Sequence, residues 1–170
     1  MIGVHIRPER ARDIPAIRDV NAAAFGARAE ADLVDALRAD ASPTISLVAD
    51  AGGAIVGHVF FSPVAIAAAA APPIMGLAPM AVLPARQRQG IGSALVRDGL
   101  ERCRRLGFLA VVVLGHAAYY PRFGFTPASR FGLTSEYDVP DDVFMALELE
   151  EGSLRGASGT IRYHRAFANV

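Results

Sequence analysis

A chain of 170 residues, 52% hydrophobic and 20% charged, can bury a core unaided, which excludes a disordered segment and a disulfide-clamped miniprotein. Its 17 Lys plus Arg balance its 17 Asp plus Glu, so no global field draws it to nucleic acid or to an anionic membrane. The single cysteine, Cys103, allows no internal disulfide, and Met1-Ile2-Gly3-Val4-His5-Ile6-Arg7 lacks the apolar stretch of a secretory signal; a cytoplasmic protein is expected.

Val4-His5-Ile6-Arg7 alternates as a first strand that Pro8 ends. From Ala11 to Phe25, residues Ile14, Ile17, Val20, Ala24 and Phe25 recur at helical spacing. After Gly26 a second helix sets Leu33, Val34 and Leu37 on one face, with Glu30, Asp35 and Arg38 off it. Ile45 to Ala49 and Ala54 to Ile66 read as antiparallel strands joined by a turn at Asp50-Ala51-Gly52-Gly53. The run Ala67 to Ala71 favours helix by propensity, but its place before Pro72-Pro73 makes it a loop or strand end. Val64 to Leu83 carries no charge, yet it is alanine-rich and broken by Pro72, Pro73 and Pro79. A spanning helix needs about 20 strongly apolar residues with intact backbone bonding, so two strands around a loop are expected instead.

Met75 to Leu83 is the next strand; Pro79 has no N–H for a ladder and belongs at an edge or a bulge. A helix over Ile91 to Leu106 carries the stripe Leu95, Val96, Leu100, Cys103 and Leu106, with Gly107 as its C-terminal cap. Leu109 to Leu114 is continuously apolar, as in a strand buried on both faces. A short helix around Ala118 to Phe123 and a strand at Phe144 to Leu149 complete a mixed α/β sheet with helices. No repeat or linker divides residues 1 to 170, which form one expected domain.

The chemistry concentrates where the 75–83 strand passes into the 91–106 helix, in Leu83-Pro84-Ala85-Arg86-Gln87-Arg88-Gln89-Gly90-Ile91-Gly92-Ser93. Glycines at a helix start let backbone N–H groups approach an anion, and those first amides have no intrahelical acceptor. Arg86 and Arg88 add positive charge. A nucleotide P-loop would require a Gly-Lys pair, and a dinucleotide fingerprint a third glycine where Leu95 stands. Two glycines before a helix also suit a plain structural turn.

Gln87-x-x-Gly90-x-Gly92, preceded by Met80-Ala81-Val82-Leu83-Pro84, resembles the acyl-CoA signature of the GNAT superfamily of N-acyltransferases. Downstream, Tyr119-Tyr120-Pro121-Arg122-Phe123-Gly124-Phe125 is similar to that superfamily's tyrosine helix and following Gly-Phe. Gly57-His58-Val59-Phe60-Phe61-Ser62-Pro63-Val64 and Gly159-Thr160-Ile161-Arg162-Tyr163 resemble its YhbS-type branch. The resemblance implies a V-shaped, mostly antiparallel sheet of about six or seven strands. It also implies acetyl-CoA as co-substrate, no metal, and direct acetyl transfer to a primary amine of a small molecule or protein, with a homodimer compatible. It assigns the coenzyme to Met80, Ala81, Val82, Leu83, Gln87, Arg88, Gln89, Gly90, Ile91, Gly92 and Ser93. Tyr120, four residues before Gly124, matches the tyrosine that approaches the coenzyme sulfur, whereas Tyr119 reads as structural.

The proton acceptor stays open between His116, Glu30 and water; His116 ends the buried strand and carries an imidazole, a common general base, and Glu30 begins a helix beside the expected acceptor pocket. His58 reads as a packed strand histidine, Cys103 as a packing thiol, and Glu136, Asp138, Asp141 and Asp142 as a solvated loop that would also attract a cationic amine. The alternative function is a non-catalytic acyl-CoA sensor on the same fold, separated from the enzyme by turnover. A dinucleotide oxidoreductase is remoter, and binding of NAD against acetyl-CoA separates it.

Overall fold

The computed structural model describes residues 3–67 and 71–170; Ala68, Ala69 and Ala70 of the alanine run lie outside them. Strand β1 (Val4–Pro8) is followed by a 3₁₀ turn (Ala11–Asp13) and helices α1 (Ile14–Phe25) and α2 (Ala29–Asp40). Then come β2 (Ile45–Ala51), β3 (Ala54–Ile66), β4 (Ile74–Val82), α3 (Ile91–Arg105) and β5 (Ala110–Leu114). A 3₁₀ turn (Tyr120–Phe123) leads to β6 (Thr126–Pro127), β7 (Leu133–Ser135), β8 (Phe144–Glu148) and β9 (Gly159–Arg162). The expected 11–25 helix splits because Pro15 suits the first turn of a helix and not its interior. The expected 118–123 helix is only the 3₁₀ turn.

The sheet runs β1-β2-β3-β4-β5-β8-β6, with β9 paired to the far end of β3 and β7 beside β9. Helices α1 and α2 cover one face, where Ile17, Leu33, Val34 and Leu37 pack on Val48 and Phe60. Helix α3 covers the other, setting Leu95, Val96, Leu100 and Cys103 against Val59, Phe61, Val111 and Val113. Alternation along β3 explains the split: His58 and Phe60 face α1, Val59 and Phe61 face α3. Gly99 stands inside α3 despite its poor helix propensity because a Cβ there would meet the buried Phe61 ring at 2.2 Å.

Strands β4 and β5 are parallel, but they pair only at Ile74↔Ala110, Met75↔Val111 and Gly76↔Val112. Beyond Gly76 they part, β5 continuing with β8 and β4 with β3. Pro79 falls in the bulge where Val59 pairs Met80 and Phe61 pairs Leu77. It therefore sits in an interior strand without breaking a ladder.

His58 is fully buried and hydrogen-bonded on both nitrogens, 3.1 Å from Asn21 Nδ2 and 2.8 Å from Ser46 Oγ. Asn21 Nδ2 can only donate, so Nδ1 accepts and Nε2 carries the proton. Ser46 in turn donates to Glu9, which Arg38 clasps at 2.7 and 3.0 Å. Burial, reinforced by the Arg38 charge, lowers the His58 pKa to about 3. Between the ordinary value of about 6.5 and the folded value, only the unfolded chain takes up this proton, so stability must fall as pH drops. The expected slope is about 1.4 kcal/mol per pH unit below about pH 6. Denaturant unfolding from pH 7 to 4 checks it against His58→Gln, whose profile should be flatter; equal slopes would remove His58 as the cause.

Candidate functional site

The site lies where β4 and β5 part, at the start of α3. Gly90 holds φ 84° at the N-cap of α3 with no side-chain cap, and the preceding Arg88 is also left-handed at φ 62°. The first helical bond closes from Ala94 N–H to the Gly90 carbonyl at 3.0 Å. The N–H groups of Ile91, Gly92 and Ser93 therefore have no intrahelical acceptor, and the helix dipole adds positive potential there. Gln87 donates from Nε2 to the Val82 carbonyl at 3.1 Å, so its side chain fastens the loop to the end of β4. Arg86 reaches Gln89 Oε1 at 3.3 Å, while Arg88 and Gln89 are exposed beside the helix start.

The free edge of β4 supplies more donors. Leu83 N–H bonds the Val56 carbonyl of β3 at 2.9 Å. Alternation along the strand then turns the N–H groups of Val82 and Met80 to the opposite edge, which β5 has left. Gly92 approaches this edge closely: a Cβ on it would lie 3.0 Å from Tyr119 Oη and 3.3 Å from Met80 Sδ. Ser93 Oγ and Tyr119 Oη are hydrogen-bonded at 3.1 Å. Two sets of amides without a backbone partner, at the start of α3 and on the edge of β4, thus lie where β4 and β5 part, and N–H groups so placed can take an anionic group.

Tyr119, expected to be structural, brings its hydroxyl to the start of α3 and ties it to Ser93. Tyr120 is buried, its ring 5.1 Å from Tyr119 and 5.7 Å from Phe125, and it occupies space that only Gly115 leaves free, since a Cβ there would meet its ring at 2.3 Å. Burial, then the neighbouring Tyr119, pushes the Tyr120 phenol above its ordinary pKa. His116 is exposed; its carbonyl, not its ring, holds the turn by accepting from Tyr119 N–H at 3.0 Å and Tyr120 N–H at 3.4 Å.

Glu30 sits in the first turn of α2, one carboxylate oxygen buried without a hydrogen-bond partner among the described residues. Cys103 is buried and its thiol is pushed up to about 12 by burial, which makes it an inert packing group. Glu136 accepts from Tyr163 N–H at 3.1 Å, while Asp138, Asp141 and Asp142 are exposed. The Tyr119–Ser93 bond joins residues 26 apart in sequence, so only the fold creates it.

Among the described residues no helix is long and apolar enough to cross a membrane. The sequence profile of the acetyltransferase (GNAT) family matches residues 14–125, spanning both the α3 loop and the tyrosine turn. The N-acetyltransferase YhbS of Escherichia coli K12, of uncharacterised activity, is 37% identical over 163 residues, 95% of this chain and 97% of its own. The likewise uncharacterised YjhQ of the same organism is 43% identical over 134 residues, 76% of this chain and 74% of its own. The crystal structure of Escherichia coli YhbS in complex with CoA superposes with a TM-score of 0.92 at 34% identity, covering 99% of this chain and 93% of that one. A GNAT acetyltransferase from Brucella melitensis in complex with acetyl-CoA superposes with a TM-score of 0.81 at 39% identity, covering 98% and 99%. Profile, relatives and superposition agree that the chain belongs to the GNAT family of acetyltransferases and resembles its YhbS-like branch.

Proposed function

We propose that this chain, as one N-acetyltransferase domain over residues 1–170 acting in the cytoplasm, moves the acetyl group of acetyl-CoA directly to a primary amine. The observation that carries the reading is the uncapped start of α3 beside the unpaired edge of β4. Similar structures holding CoA and acetyl-CoA support it. In this reading the amides of Ile91, Gly92 and Ser93 take the diphosphate, with Arg88 and Gln89 at its rim and Gln87 fixing the loop. Bound acetyl-CoA supplies an activated thioester. Met80, Ala81, Val82 and Leu83 line its arm, and the outward amides of Met80 and Val82 polarise the acetyl carbonyl, stabilising negative charge on its oxygen.

The amine must arrive without its extra proton, because an alkylammonium of pKa about 10 has no lone pair. Glu30, with its unpaired buried oxygen, and the exposed His116 are the residues offered for that proton, and water is the third route. On the other side, the departing thiolate, of pKa about 8.5 by analogy with cysteine, takes a hydrogen bond and then a proton from Tyr120, which recovers one as the amine nitrogen sheds its second proton on becoming an amide. Its burial keeps that phenol protonated at neutral pH. Tyr119 orders the cleft wall by tying itself to Ser93.

Tyr120→Phe should lower kcat about tenfold, about 1.4 kcal/mol of barrier, while the acetyl-CoA dissociation constant stays within about twofold. Free-thiol release with a panel of amines reads the first, calorimetry the second. Unchanged turnover in Tyr120→Phe, with a loss in Tyr119→Phe, would move the role to the neighbour. Tight acetyl-CoA binding with no thiol released from any amine would favour the sensor reading.

A further inference from the structure

Helix α3 carries Arg97, Arg102, Arg104 and Arg105. The last three pair with carboxylates: Arg102 with Asp98 at 2.6 Å, Arg104 with Glu101 at 2.9 Å and Arg105 with Glu101 at 3.5 Å. Arg97 has no carboxylate partner among the described residues; its guanidinium lies 5.1 Å over the Phe123 ring. Arg122 is likewise without a carboxylate and lies 4.3 Å over the Tyr119 ring, fixed by a 2.8 Å bond from its Nε to the Tyr119 carbonyl. Both guanidiniums border one cavity of about 300 Å³, walled by Phe123, Leu100 and Leu147. In a chain of zero net charge, this is a local excess of two cations, since the Arg104 that also lines the cavity is offset by Glu101.

The cavity is not remote from the cleft. Ser93 at the helix start bonds Tyr119; Tyr119 carries Arg122 on its face and stands 5.4 Å from the Phe123 ring, on which Arg97 rests. Arg97 follows Ser93 by four positions, one turn along the same helix face, a rise of about 6 Å. A track of aromatic faces and guanidiniums thus leads away from the amides at the helix start. Guanidiniums held flat by stacking lose little freedom on gripping a phosphate, and two of them suit a dianion. Coenzyme A is an anion with its charge in two places, a diphosphate and a separate 3′-phosphate on the ribose.

We propose that Arg97 and Arg122, beside Phe123, seat the 3′-phosphate of the coenzyme and make this protein select CoA over its 3′-dephospho form. The inference rests on the proposed coenzyme reading, and it assigns the direction in which the adenosine end leaves the helix start. The rival direction runs over Arg86 and Arg88.

The test is calorimetric titration of CoA and of 3′-dephospho-CoA into wild type, Arg97→Gln/Arg122→Gln and Arg86→Gln/Arg88→Gln. All four positions lie at least partly at the surface, so each variant should fold, which circular dichroism checks. Wild type should prefer CoA by about tenfold or more. The Arg97/Arg122 variant should bind dephospho-CoA as wild type does and lose that preference to within about twofold. The Arg86/Arg88 variant should weaken both ligands alike. Equal wild-type affinities, a preference that survives in the Arg97/Arg122 variant, or one that vanishes in the Arg86/Arg88 variant would each overturn the seat while leaving the coenzyme reading standing. Failure of wild type to bind either ligand would instead overturn the coenzyme reading, and the seat with it.

Discussion

Gly92→Val is expected to weaken acetyl-CoA binding about a hundredfold, about 2.7 kcal/mol, with the fold intact. The first carbon of any side chain at position 92 would already stand 3.0 Å from Tyr119 Oη and 3.3 Å from Met80 Sδ. Two further methyls would push the Tyr119–Ser93 wall aside or cover the amides that face the cleft. Position 92 is in the first, partly exposed turn of α3, so the helix can survive the change. Calorimetry and a thermal melt on the same sample separate the two effects. A dissociation constant within about threefold of wild type would place the coenzyme elsewhere. Gly90→Ala is the informative contrast: nothing lies within 4 Å of its Cβ, but φ 84° costs a side chain about 1–2 kcal/mol. It should lower stability more than it lowers affinity.

The second large effect lies far from the cleft. Arg7 and Asp13 form a bidentate pair at 2.7 and 3.1 Å, with the two side chains 8% and 6% exposed. Asp13 also accepts Arg10 N–H at 2.7 Å, and Arg7 reaches Asp50 at 3.1 Å, which in turn accepts Gly53 N–H at 2.7 Å. One knot thereby ties the end of β1, the entry to α1 and the β2–β3 turn. The Arg7 guanidinium holds the Asp13 carboxyl below the ordinary carboxylate range, despite burial acting the other way. Asp13→Ala leaves a buried guanidinium half-neutralised and should cost about 3 kcal/mol of unfolding free energy by denaturant titration. A loss under about 1 kcal/mol would mean that water or Asp50 takes over. Catalytic constants at temperatures where the variant is folded should be unchanged.

The path of the main chain was legible because its signals are local. Alternation marked β1 and β2, helical spacing marked α2 and α3, and an unbroken apolar run marked β5. The glycine-containing loop was legible as an uncapped helix start because that chemistry depends on neighbours in sequence, and the structure leaves that end uncapped. Pro79 could be assigned to a bulge or an edge but not to one of them, since the choice depends on which strands flank β4. Interactions between distant residues left no local trace. His58 read as a packed histidine, yet nothing in the sequence joins it to Asn21, Ser46 and Glu9. The same holds for the pairing of β9 with β3 and β7, and for the bond between Tyr119 and Ser93.

In the proposed function, amides at the start of α3 and on the free edge of β4 face outward to receive the coenzyme. Amide proton–nitrogen spectra recorded during titration with acetyl-CoA test it directly. The largest shifts should fall on Ile91, Gly92 and Ser93, followed by Met80 and Val82. Unmoved resonances at those five positions, with saturable shifts on another face of the sheet, would contradict the account.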